Sequence, residues 1–167
     1  YYAPYPHTIT LDGETADWDN IPRVTVDSGP ILSDDHETMT FAVAADDTHL
    51  YYLVDVVDAT IVYGNYGIDE WYLEDSVEFY LNTTGDLEAP EYTEGVVQIG
   101  IMAANLGEPE DPLYGGINSD DAQVSFVVVE TEDGYRVEAS VPLVTDVWTI
   151  EPAHEAVIGF QSHLNGS

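Results

Sequence analysis

Period two is the signal that most constrains this chain. Apolar side chains recur at alternate positions in short runs, such as Met39, Phe41 and Val43 and again Val77, Phe79 and Leu81. Each run is soon closed by glycine, proline, aspartate or asparagine, the punctuation of turns. No stretch carries a strong helical period. Strands are expected at His7 to Leu11, around Val24 and Val26, at Met39 to Val43, and at Leu50 to Val57. Further strands are expected at Val77 to Leu81, Val96 to Met102, Val124 to Glu130, Tyr135 to Val141 and Ala156 to Leu164. Leu50 to Val57 is almost continuously apolar, as in a strand buried on both faces. Val124 to Val141 reads as a hairpin around Thr131-Glu132-Asp133-Gly134. Asn105 to Asp121 reads as a long loop. Short strands with turns between them specify an all-β, antiparallel, jelly-roll-like β-sandwich. Residues 1–7, rich in tyrosine and proline, read as an extended arm ahead of a sandwich over 8–167.

Charge narrows the partners. The 167 residues hold 33 Asp plus Glu against 2 Lys plus Arg, for a net charge of −31. Nucleic acid and anionic membrane are poor partners for such a surface, so no nucleic-acid binding and no membrane insertion are expected. A disordered acidic chain is the usual alternative, but 44% apolar residues and regular alternation argue against it. There is no cysteine, hence no disulfide. Self-repulsion on this scale calls for high salt or bound divalent cations. Both point to a secreted protein, extracellular or at the cell surface, although no targeting signal is visible and the start at Tyr1 suggests a processed or partial sequence.

Chemistry concentrates around Trp71-Tyr72-Leu73-Glu74-Asp75-Ser76-Val77-Glu78, where an aromatic and several acids run into a strand. A hard cation needs converging oxygens. The candidates are Asp12 and Glu14 in the first turn, Asp58 at the end of the central strand, and Asp69, Glu70, Glu74 and Asp75 around Trp71. Calcium is the expected ion. Nothing in the spacing marks a carboxylate acid/base pair, a zinc site or a serine nucleophile, so the chain reads as non-enzymatic. Asn82-Thr83-Thr84 and Asn165-Gly166-Ser167 fit the N-glycosylation acceptor pattern at Asn82 and Asn165.

Several segments in order carry a resemblance. They are Ile9-Thr10-Leu11-Asp12-Gly13-Glu14 with Trp18, Asp47-Thr48-His49-Leu50-Tyr51 leading to Val57-Asp58, and Trp71 with Asp75-Ser76-Val77-Glu78. Gly134-Tyr135-Arg136-Val137-Glu138-Ala139 and Ile158-Gly159-Phe160-Gln161 complete the set. From about Thr8 to Asn165 the chain resembles family 9 carbohydrate-binding modules. The resemblance implies a calcium-braced module that binds a polysaccharide or cell-surface glycan. It makes Trp71 one wall of a sugar slot and Glu78 and Gln98 partners for hydroxyls. Trp71 is followed by one residue more than the family pattern has, and the family's basic residue near the slot falls at Gly100. The family's C-terminal segment, which carries a second tryptophan and a closing strand, has no counterpart before Ser167.

A sandwich short of a closing strand exposes an unpaired edge. The alternative reading is therefore an extracellular filament or tube subunit, its partners copies of itself, joined by strand complementation between the N-terminal arm and that edge.

Overall fold

A computed structural model describes residues 1–26, 37–153 and 156–166. The acidic stretch from Ser33 to His36 and the terminal Ser167 lie outside these residues. Nine strands form: β1 (Val24–Val26), β2 (Thr38–Ala45), β3 (His49–Val57), β4 (Ser76–Asn82), β5 (Val96–Met102), β6 (Tyr114–Gly115), β7 (Ser125–Glu130), β8 (Gly134–Pro142) and β9 (Gly159–Asn165). They pair into a five-stranded sheet of order β1-β2-β3-β8-β7 and a four-stranded sheet of order β6-β5-β4-β9. Every described pairing is antiparallel. Short 3-10 turns are the only helical elements described, and among the described residues no helix is long and apolar enough to cross a membrane.

Alternation decides which side chains meet between the sheets. Val77, Phe79 and Leu81 of β4 and Val97, Ile99 and Ile101 of β5 point inward, each nearly or fully inaccessible. Opposite them lie Tyr52, Val54 and Val56 of β3 and Tyr135, Val137 and Ala139 of β8. Each large side chain buried this way contributes roughly 1.5–3 kcal/mol.

The unbroken apolar run in β3 has a specific cause. Its other face, Tyr51 and Leu53, is roofed by Ile9, Trp18 and Ile21, with Ala42 and Ala44 of β2 small enough to admit them. Two cores thus share one strand.

The same roof corrects one expected strand and fixes the arm. His7 to Leu11 alternates but is not a strand. Its backbone is held piecemeal instead, the His7 N–H donating to the Ala45 carbonyl (2.8 Å) and the Thr10 N–H to the Asp17 carboxylate (2.9 Å). Ahead of it, the Ala45 N–H donates to the Pro4 carbonyl (3.1 Å) and the Val43 N–H to the Tyr1 hydroxyl (3.1 Å). The arm lies on its own sandwich. Conversely, the expected loop from Asn105 to Asp121 contains the two-residue β6.

Candidate functional site

The outward face of the four-stranded sheet is assembled by the same parity. With Val77, Phe79 and Leu81 inward, Glu78 and Tyr80 must point outward. The register Tyr80↔Gln98 and Ser76↔Asn165 brings Gln98 and Asn165 to the same side. A cavity of about 390 Å³ opens there, lined by Trp71, Tyr72, Glu78, Gln98, Gly116, Ile117 and Asn165.

Glu78 is its polar centre. It is 3% exposed, and its carboxylate accepts from Asn165 Nδ2 (2.7 Å), Gln98 Nε2 (2.9 Å) and the Tyr80 hydroxyl. Gln98 Nε2 also reaches the Tyr80 oxygen (3.0 Å). Burial raises the Tyr80 pKa, and the Glu78 carboxylate raises it further, so the phenol stays a donor at any physiological pH. The three expected sugar-site residues, Trp71, Glu78 and Gln98, therefore converge. Asn165 and Tyr80 join them without having been anticipated there, although Tyr80 stands two residues from Glu78 and must share its face. Asn165, an expected glycosylation acceptor, has its amide engaged by Glu78 and by Ser76 Oγ (3.1 Å). Asn82 instead closes a tight turn, its Oδ1 accepting from the Thr84 hydroxyl (2.7 Å) and N–H (3.1 Å).

Trp71 rides on the 3-10 turn Ile68–Leu73, and its ring is laid against β5 and β6. A Cβ at Gly100 would fall 2.2 Å from Trp71 Cζ3, and one at Gly115 2.6 Å from Cδ1. Only glycine fits under the ring at either position, so the absence of a side chain at Gly100 has a steric reason. Trp71 is left 6% exposed. Tyr72 beside it is 52% exposed, with the two ring planes at 89° and centroids 5.9 Å apart.

The expected metal ligands separate into two groups. Asp58 and Asp75 come together with Glu37, one carboxylate oxygen of each lying within 4.8 Å of the others. This is the one such group among the described residues. Asp58 is 6% exposed; its Oδ1 accepts from the Thr60 N–H (2.8 Å), whereas its buried Oδ2 has no hydrogen-bond partner. The neighbouring Tyr135 hydroxyl, also buried, has none either. Burial raises the Tyr135 pKa, and Asp75, Asp58 and Glu37 add to the shift. Asp58 also borders a larger groove of about 670 Å³ beside the β7–β8 turn, where Tyr63, Glu130, Glu132 and Asp133 stand.

The remaining expected ligands are spent elsewhere. Asp12 Oδ1 accepts from the Glu14 N–H (2.9 Å) within the first turn, and Glu14 points to solvent. Glu74, 1% exposed, braces the preceding loop by accepting from the Gly64 N–H (3.0 Å) and the Asn65 N–H. Asp69 and Glu70 are exposed on the Trp71 turn. Glu37 was not singled out in the sequence. The signal was the β2–β3 register, since Thr38↔Val57 puts Glu37 next to Asp58.

The family described as "Carbohydrate family 9 binding domain-like" matches residues 11–167. Comparison with curated proteins finds no match. Among solved structures, a carbohydrate-binding module of family 9 from Caldicellulosiruptor kristjanssonii in complex with cellotriose superposes with a TM-score of 0.74. It is 22% identical, over 96% of this chain and 73% of that one. A structure described as a family 9 module from the same organism, in complex with glucose, gives a TM-score of 0.70 at 25% identity, over 94% of this chain and 73% of that one.

Proposed function

From the premise that this chain belongs to the carbohydrate family 9 binding domain-like family, we propose that it binds a neutral glycan, without catalysing its cleavage, in the cavity around Glu78. The observation that carries this reading is the convergence of the Trp71–Tyr72 aromatic pair with Glu78, Gln98 and Asn165 on one small cavity. A sugar presents apolar C–H faces and a ring of hydroxyls, so its site needs an aromatic surface beside fixed polar groups. Both are there. Glu78 and Gln98 are held by their neighbours before any ligand arrives, which lowers the ordering cost of binding. Among the described residues no Lys, Arg or His lines the cavity, and Glu78 stands at its centre, so uronic acids and other anionic sugars are disfavoured. The ligands of the two similar structures, cellotriose and glucose, support a neutral β-linked glucan as first choice.

Calcium fits the second cluster. Three carboxylates converge there, and Asp58 keeps one buried oxygen, Oδ2, without a donor among the described residues. Glu37, Asp58 and Asp75 would hold the ion, tying the start of β2, the end of β3 and the entry to β4, and so the loop that carries Trp71. The acidic surface supports an extracellular setting.

A second reading, assembly with copies of itself, is favoured by one observation. Strand β9 pairs with β4 alone among the described strands, which leaves its other edge to accept a strand. The arm is a poor donor, since its own sandwich already engages it. Isothermal titration with cellotriose in the presence of calcium tests the main reading. Saturable heat that is lost in Gln98→Ala is expected; a flat titration of the folded protein refutes it.

A further inference from the structure

We propose that Tyr72 is the ring on which the sugar stacks, and that Trp71 is the floor supporting it; this rests on the carbohydrate-binding reading above. Stacking requires an open aromatic face. Trp71 does not offer one of useful size. Its ring lies on the backbone at Gly100 and Gly115, and the whole residue is 6% exposed. The indole instead fills the space that side chains on β5 and β6 would have taken.

Tyr72 has the missing property. It is 52% exposed and borders the cavity that Glu78, Gln98 and Asn165 also line. Its plane stands at 89° to that of Trp71. With the two planes perpendicular, a flat pyranose cannot lie on both rings at once, and of the two residues it is Tyr72 that is open to solvent. Edge-to-face contact with Trp71, at a centroid distance of 5.9 Å, fixes the angle of the tyrosine ring and limits the entropy lost on binding. Trp71 is thus a positioning residue and Tyr72 a ligand-contacting one.

The test is titration of the calcium-loaded protein with cellotriose and with glucose, comparing the wild type with Tyr72→Ala, Tyr72→Phe and Trp71→Phe, each checked for an unchanged melting temperature. Loss of about tenfold or more in cellotriose affinity is expected for Tyr72→Ala, a change of about 1.4 kcal/mol. Tyr72→Phe, which keeps the ring, should restore binding to within about twofold of wild type. Tyr72→Ala binding that matches wild type overturns the proposal, whatever Trp71→Phe does. A wild-type protein that binds neither sugar removes the carbohydrate reading itself and this inference with it, an outcome distinct from the former. Because Tyr72 is exposed, its replacement leaves the fold intact even where Trp71→Phe does not.

Discussion

Glu138 on β8 and Asp58 just beyond β3 are both buried carboxylates, 0% and 6% exposed, in a chain that carries almost no positive charge. Their surroundings differ completely. Glu138 receives Trp18 Nε1–H (2.6 Å) on one oxygen and the backbone N–H groups of Gly13 (2.6 Å) and Asp12 (3.0 Å) on the other. Asp58 receives one backbone N–H on Oδ1, nothing on Oδ2, and has two further carboxylates for neighbours. The first group is complete within the chain and works as a rivet, fastening the N-terminal roof to the five-stranded sheet. The second is where we propose that positive charge is supplied from outside. Burial of an acid therefore does not identify a site; a buried oxygen without a donor does.

The largest effect should come from removing the rivet. Glu138→Ala leaves two buried N–H donors and one partly buried one without this acceptor and is expected to cost about 3–5 kcal/mol. Urea denaturation should show the same loss with calcium and with chelator, since no ion is involved at Glu138. A calcium-dependent loss would erase the distinction between the two regions.

Calcium itself comes next. Addition to chelated protein at a hundred times its dissociation constant should raise stability by about 2.7 kcal/mol. Asp58→Asn should abolish that gain while leaving the chelated protein no less stable, because it removes a buried charge that has one donor and two carboxylate neighbours. A full calcium response in Asp58→Asn would move the ion elsewhere.

Gly100→Ala sharpens the comparison from a third direction. The new methyl group must displace the Trp71 ring, at about 1–3 kcal/mol. Calorimetry should find this penalty unchanged by calcium, and glycan titration should find weaker binding because the floor of the cavity has shifted.

The smallest effect is expected at Asp46, a second acid satisfied by the chain. Burial pushes its pKa up, but donors from the Tyr51 hydroxyl, from Thr48 and from the His49 N–H outweigh this and hold it well below its usual value of 3.8. The folded form thus prefers the ionised acid. Its stabilisation is present above the unfolded value and disappears as pH falls toward the lower folded one. Asp46→Asn should cost about 1–2 kcal/mol at neutral pH and flatten the loss of stability below about pH 4. An acid limb identical to wild type would show that Asp46 is not held this way.

Much of the fold could be read from the sequence because period two is a local property. The runs at Val77 to Leu81 and Val96 to Met102 became β4 and β5 almost residue for residue. His7 to Leu11 misled because the alternation there serves a roof, with Ile9 packed among Ala42 and Ala44, and its described backbone bonding to β2 is confined to Ala45. Strand β6 escaped because two residues carry no period; its place depends on glycine beneath Trp71, a tertiary condition.

The sites divide along the same line. Glu78 and Gln98 could be placed together through the family resemblance, and strand parity agrees with it. Glu37, Asp58 and Asp75 sit at three separate strand ends, and only the pairing of strands reveals which ends meet. The relative exposure of Trp71 and Tyr72 was equally hidden. Adjacent residues on an irregular turn give no periodic clue to which ring is covered.

Asp55 has a consequence that extends beyond the strand it stands on. Arg23 and Arg136 both bind its carboxylate, each at 2.6 Å, and the chain contains no other arginine and no lysine. All the permanent positive charge of the side chains is thus gathered around one carboxylate, and to its surroundings the protein is a polyanion wrapped in mobile cations. On an uncharged glucan that cloud is carried to the surface nearly undisturbed, and adsorption should hardly respond to salt. Against an acidic polysaccharide two clouds must interpenetrate once the surfaces come within about 8 Å at physiological ionic strength. The osmotic pressure of the crowded counterions then pushes the two polymers apart. Selection between neutral and acidic walls can begin in this way, before any hydroxyl has met Glu78.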